Sequence, residues 1–424
     1  MAEQPAPPIE EGTLRAAARL LFQAGVQAAD PDKAVARALK AEGGHLHIRL
    51  DSGAWRTAHW RQVRVAAFGK AACAMARAAA RIVPSDILHV PGVVVTNYEN
   101  VADIPHFDVV GAGHPLPDSN GIIGAKAVSR LVADARPGDL VLVLISGGGS
   151  ALLPFPAERI PLDDKIKTTN LLLASGADIG EMNAVRKHLS RLKGGGLARL
   201  AHRADLHALI LSDVLGDDLS TIASGPTVPD PTTFSDAHDV LVRHGIWDQI
   251  PITAREHIKQ GLAGHAEETP KPGDAVFDRV GSTLIGSNAM SLAAMAHAAE
   301  SAGFRVVIHD KCLRGEAREA AEGFVRAAKE ELAKGGPRKV ALVAGGETTV
   351  MLRGTGRGGR NQEMALAFAL AAAKQGLTGN WVFLSGGTDG RDGPTDAAGG
   401  IVDPGTIERI RKAGGAPSSL LNDN

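Results

Sequence analysis

The chain has 424 residues, and its 46 Lys and Arg nearly match its 47 Asp and Glu. That balance argues against a nucleic-acid or acidic-membrane partner and leaves any anion preference to local placement. Aromatic residues make up only 4% and the two cysteines, Cys73 and Cys312, belong to no CxxC pair, which disfavours an aromatic-cored sandwich, a disulfide framework and a cysteine zinc site.

In chain order, MAEQPAPPIEEG is acidic and Pro-rich, without the basic and apolar regions of a signal peptide, and residues 1–12 are expected to be flexible. Thr13–Ala28 and Asp32–Ala41 show helical spacing, with Asp30-Pro31 as cap and first turn. Val63–Phe68 reads as a strand, Gly69-Lys70 opens an Ala-rich helix over Ala71–Val83, and Pro91–Thr96 is a second strand. GHPLPDSNG is rich in turn formers and predicts a helix Gly121–Ala133 capped by Asp118 or Ser119. Leu140–Ile145 is the longest apolar run, too short for a membrane span and patterned as a strand buried on both faces. Helices follow at Asp163–Ala174 and Gly180–Lys193, then a strand at His207–Leu211. The Pro-, Ser- and Thr-rich segment Ser224–Thr233 marks a domain boundary soon after it. Ser282–Gly286, Arg305–His309, Lys339–Ala344 and Trp381–Leu384 read as strands. The first three alternate with helices Ala289–Ala302 and Glu316–Ala333, the rhythm of a mainly parallel, doubly wound α/β sheet. The chain is expected to be soluble and cytoplasmic.

Four strands end in loops of Gly with Ser, Asp or Lys: FGK (68–70), ISGGGS (145–150), LSDVLGDD (211–218) and LSGGTDGRDGPTD (384–396). Carboxyl-end loops of a parallel sheet are where such folds bind ligands. Lys70 is expected in the first turn of its helix, opposed by the macrodipole, which points to a negative partner. SGGGS looks like an anion nest of converging N–H groups and two hydroxyls, although it lacks the GK[ST] ending of a Walker A loop. Asp213, Asp217, Asp218, Asp389, Asp392 and Asp396 are candidates for magnesium ligation or proton acceptance, against the ordinary role of Asp in Gly-rich turns. His114 and His188 are candidate substrate contacts, weighed against structural roles.

The stretch 339–363 combines a strand, a Gly345-Gly346-Glu347 corner, a β-prone run over Thr348–Leu352, and a loop with Gly354, Gly356, Gly358 and Gly359 beside Arg353, Arg357 and Arg360. That loop feeds a helix start, where free N–H groups and guanidinium forks attract anions. Gly354, Gly356 and Gly359 formally spell GxGxxG. The motif does not open directly after a strand, however, and the next strand ends in Ser385 rather than a carboxylate, so a dinucleotide site is disfavoured. The residues alone point to an anion-binding α/β enzyme of phosphoryl transfer.

NAVRKHLSRLKGGGLA (183–198), LSDVLGDDLSTIASGPTVPD (211–230), GGETTVMLRGTGRGGRNQEMALA (345–367) and SGGTDGRDGPTDAAGG (385–400) resemble the class II glycerate kinases. The resemblance implies two α/β domains with mainly parallel sheets: a Rossmann-like one over 1–235, and one over 236–424 with a MOFRL-type region from about 283. It places the site in a cleft between them. It implies ATP and Mg2+ as cofactors, D-glycerate as substrate and 2-phosphoglycerate with ADP as products, and leaves a homodimer open. By position, Lys70 and Arg360 are similar to the family's essential cations. Ser146, Gly147, Gly148, Gly149 and Ser150 resemble a carboxylate or phosphate cradle, helped by Arg186, Lys187 and Lys193 and by Gly346, Glu347 and Arg357. Asp213 is the first choice for metal or proton work and Asp389 the second. Relatives also carry the label hydroxypyruvate reductase, so an NAD(P)H-dependent reductase is the alternative; a non-catalytic small-anion binder is the third reading.

Overall fold

In the computed structural model, which describes residues 14–335 and 339–423, the strand Asp139–Ile145 is buried along its whole length. Its side chains alternate between two cores: Leu140, Leu142 and Leu144 join Met75 and Ala76, whereas Val141, Val143 and Ile145 join Val128 and Val132. This is the period of two expected of a central strand covered by helices on both faces. The helices doing so are Ala72–Ile82 and Ser119–Ala133, the second capped by Asp118, whose side chain accepts from Gly121 N.

The chain separates into two compact units, Pro31–Ser287 and a second made of Asn288–Asn424 with the segment up to Asp30. Pro31–Ser287 begins with helix Pro31–Ala38 and an antiparallel sheet of β1 (Leu39–Glu42), β2 (His45–Arg49) and β3 (Trp55–Thr57). The helix expected to reach Ala41 therefore ends three residues earlier and turns into β1. Six parallel strands follow: β4 (Gln62–Phe68), β5 (Gly92–Asn97), β6 (Phe107–Ala112), β7 (Asp139–Ile145), β8 (Asp205–Leu211) and β9 (Val280–Gly286). Their spatial order is β6-β5-β4-β7-β8-β9. Counted within this sheet that is 3-2-1-4-5-6, the Rossmann order, whose switch point lies between β4 and β7.

The second unit pairs β10 (Arg305–Leu313) with β11 (Val340–Gly346) in parallel, and β12 (Phe383–Gly386) with β13 (Gly399–Val402) antiparallel. Helices Ala317–Ala333 and Arg360–Gln375 pack together in its core, where the Phe368 and Phe383 rings stack at 4.2 Å. The β-prone run at Thr348–Leu352 forms only an isolated bridge, Glu316 with Thr349.

The division does not fall near residue 235. β9 completes the sheet of the first unit by pairing with β8, so that unit extends to Ser287. Helix Leu14–Ala28 joins the second unit instead, through helix Asn288–Ser301: a Cβ on Gly25 would lie 2.8 Å from Met295 Cγ, and Ser291 Oγ donates to Gly25 O at 2.9 Å. Neither partner is local in sequence.

Candidate active site

At the switch point the turns after β4 and β7 are tied together. Gly69 adopts φ +124°, and a Cβ there would fall 2.2 Å from Ser146 Oγ, so both its backbone and its neighbour require glycine. Ser146 Oγ accepts from Ala71 N at 3.0 Å, and Lys70 N donates to Gly147 O at 2.9 Å. Helix Ala72–Ile82 starts after this turn, so Lys70 precedes the helix rather than lying in its first turn. Its side chain is exposed. Lys70 is thus placed by the two joined turns rather than by the helix dipole.

Three further groups converge on the Ser146–Ser150 turn. A Cβ on Gly147 would lie 2.0 Å from Asp213 Oδ2, and one on Gly148 would lie 2.9 Å from the His114 ring and 3.4 Å from Lys70 Cε. Burial lowers the pKa of His114 and the Lys70 charge lowers it further, with Asp213 and Glu99 opposing. Burial and Lys70 thus favour the neutral imidazole at His114. Asp217, in the same loop as Asp213, holds φ +55° with a buried Oδ1 that finds no hydrogen-bond partner among the described residues. Asp218 is a turn former, accepting from Ser220 and Thr221.

Behind the turn, Ser150 Oγ meets Ser224 Oγ at 2.8 Å, and Ser224 Oγ donates to Asn183 Oδ1 at 3.1 Å. Lys193 Nζ donates to the Ser150 and Ala223 carbonyls at 3.1 and 3.4 Å. The two hydroxyls of SGGGS thus bond within the protein. Arg186, Lys193 and Lys165 form a cluster of cations: burial first, then Lys165 and Arg186, pushes the Lys193 pKa well below its ordinary value. Lys187 instead forms a buried ion pair with Asp230 at 3.2 Å, and His188 is held by Ala184 O and Glu268, so both are structural.

In the other unit, Arg360 opens helix Arg360–Gln375 and its guanidinium lies 2.9 Å from Glu347, beside Gly346 at the end of β11. Arg357 Nη2 donates to Pro394 O at 2.8 Å. Two of the N–H groups at that helix start are already taken: Asn361 N and Gln362 N both donate to the buried Asp392 carboxylate, at 3.0 and 2.8 Å. Asp392 therefore caps the helix and occupies two of the donors expected to be open there. Asp389 Oδ1 accepts from Arg391 N at 3.1 Å, the turn role common to Asp beside Gly.

Among the described residues no three His, Cys, Asp or Glu side chains gather as a ready-made metal site. A magnesium ion carried by a nucleotide does not need one, because phosphates and water supply most of its octahedron and one or two carboxylates complete it. Asp213, lying against the Gly147 backbone beside Lys70, suits that requirement.

Comparison with known proteins bears on this arrangement. A family model described as a domain of unknown function (DUF4147) matches residues 17–259, and the MOFRL family model matches residues 340–424. A protein of Pyrococcus horikoshii named glycerate 2-kinase is 44% identical over 411 residues, covering 96% of this chain and 89% of its own. The chain belongs to the glycerate kinase family. Membership makes it a kinase, with the MOFRL match starting at β11 rather than near residue 283. The crystal structure of a glycerate kinase from Thermotoga maritima matches with a TM-score of 0.82 at 39% identity, over 97% of this chain and 92% of that one. A relative in Agrobacterium vitis, 41% identical over 408 residues (95% of this chain and 86% of its own), is named for hydroxypyruvate reductase. No described helix is long and apolar enough to cross a membrane.

Proposed function

We propose that the chain transfers the γ-phosphoryl group of ATP to the 2-hydroxyl of D-glycerate, giving 2-phosphoglycerate and ADP. The observation that supports this reading most is the convergence of Lys70, His114 and Asp213 on one glycine turn at the switch point of a Rossmann-order sheet. Phosphoryl transfer asks a protein mainly for placement and for positive charge near the equatorial oxygens.

Lys70 and Arg360 are assigned to that charge. Gly147 and Gly148 let a phosphate approach the turn closely, and Gly346, Glu347 and Arg357 shape the loop that presents Arg360. Asp213, with Asp389 as second choice, would hold Mg2+, which would supply positive charge to offset that of the phosphates. His114, whose neutral form burial and Lys70 favour, is suited to accept the hydroxyl proton.

The reductase reading has less support. The turn after β4 reads FGKAA rather than GxGxxG, and the helix start beyond Gly354–Gly359 has its Asn361 and Gln362 N–H groups held by Asp392. Purified chain with D-glycerate, ATP and magnesium should release ADP, whereas hydroxypyruvate should leave NADH absorbance unchanged. NADH consumption without ADP formation would reverse the assignment.

A further inference from the structure

Helix Leu162–Ala174 carries Lys165 in its first turn, where the macrodipole already opposes a cation. Lys165 is only 7% exposed, and its Nζ has no hydrogen-bond partner among the described residues. Burial and the positive charge of Arg186 lower its pKa, and both cations lower that of Lys193. On helix Ile179–His188, Asn183 stands one turn before Arg186, and its Nδ2 is a second buried donor without a partner. Buried ammonium groups normally find a carboxylate or a set of carbonyls, as Lys187 finds Asp230 in the same unit. Two buried donors that find no acceptor among the described residues, beside a buried guanidinium, describe the outline of an anionic ligand.

We propose that Lys165, Arg186 and Asn183, with Lys193 behind them, form the seat of the substrate's carboxylate, and that Lys165 selects a 2-hydroxy acid over a neutral polyol. The assignment rests on the phosphotransfer reading for its substrate. A 2-hydroxy acid carries its carboxylate on the carbon that bears the reacting hydroxyl, so the seat has to adjoin the phosphoryl-transfer turn. Ser150 makes that connection: its carbonyl accepts from Lys193, its hydroxyl meets Ser224, which donates to Asn183, and it ends the turn on which Lys70 and Asp213 converge. A carboxylate also suits the donor set, because its oxygens can accept from an ammonium, a guanidinium and an amide in one place.

The test is calorimetric titration of the full chain and of Lys165→Met with D-glycerate, glycolate and glyceramide, without nucleotide, beside steady-state kinetics. The wild type should bind the two carboxylates and not the amide. Lys165→Met should lose about 10- to 150-fold in glycerate affinity, the range for a hydrogen bond to a charged group, with KM for glycerate raised to match and KM for ATP unchanged. Arg186→Met serves as a second variant and should show the same selective loss should Lys165→Met not fold. Unchanged glycerate affinity in a folded Lys165→Met overturns the seat and leaves the kinase assignment standing. Carboxylate binding that depends on Lys165, with no ADP formed from glycerate and ATP, supports the seat and overturns the kinase assignment. A wild type that binds none of the carboxylates overturns the seat.

Discussion

Replacing Lys165 by Met should make the ligand-free protein more stable, and the effect should depend on pH in a defined direction. Burial first and Arg186 second bring its pKa from 10.5 to about 7. A base whose folded-state pKa lies below its unfolded one leaves the unfolded chain holding more protons between the two values. Stability therefore rises with pH from about 7 to 10.5, and the whole penalty is present below 7. That gap corresponds to about 5 kcal/mol. Met keeps an unbranched stem of similar length without the charge, and its presence should also relieve Lys193, which Lys165 opposes. At pH 6 the variant should melt on the order of 10 °C above the wild type, and its stability should climb less steeply between pH 7 and 10. Urea and thermal unfolding followed by circular dichroism at pH 6, 8 and 10 measure both quantities. A variant less stable than the wild type at pH 6, or one with the same pH slope, would refute the claim that Lys165 is buried without a counter-charge.

Lys70→Ala and Arg360→Ala should each lower turnover by about 10²–10³-fold, as loss of a charge-stabilising group does elsewhere, with unchanged circular dichroism; turnover within a factor of two in either removes that residue from the mechanism. Gly147→Ala places a methyl where the Asp213 carboxylate lies, 2.0 Å away, so turnover should fall about 10²-fold through misplacement while the melting temperature stays near that of the wild type. Asp392→Ala strips the cap from Asn361 N and Gln362 N and should destabilise the second unit by about 1–3 kcal/mol, read by hydrogen exchange over residues 360–364. Chelation with EDTA should abolish ADP formation, and added Mg2+ should restore it.

The strands and helices of the parallel sheet were legible because their signal is local. The apolar run at Leu140–Ile145 and the Asp118 cap each state their role within a few residues, and both stand as expected. The division into units was not legible, since it depends on which partner β9 and helix Leu14–Ala28 choose: β8 in one case, helix Asn288–Ser301 in the other. The three-stranded antiparallel sheet over residues 39–57 escaped for a different reason. His45, His47 and Trp55 lie among charged and turn residues, and β1 continues directly from a helix whose Ala-rich pattern runs on past Ala38.

Composition is a poor guide to where this chain would meet an anion, because the residues that look most suited to the task often have work elsewhere. The loop with Gly354, Gly356 and Gly359 precedes a helix start two of whose donors Asp392 has already taken, a contact no local pattern announces. Lys187, in the same RKH run as Arg186, is neutralised by Asp230. Lys165 sits unremarked in the helix LDDKIKTTNLLLA, although the dipole argument applied to Lys70 holds better for it, since it lies inside a first turn and Lys70 lies outside one. A cation is informative when its surroundings fail to balance it, and that failure is a tertiary property: it requires knowing that Arg186 and Lys193 come close and that no carboxylate among the described residues bonds to Lys165.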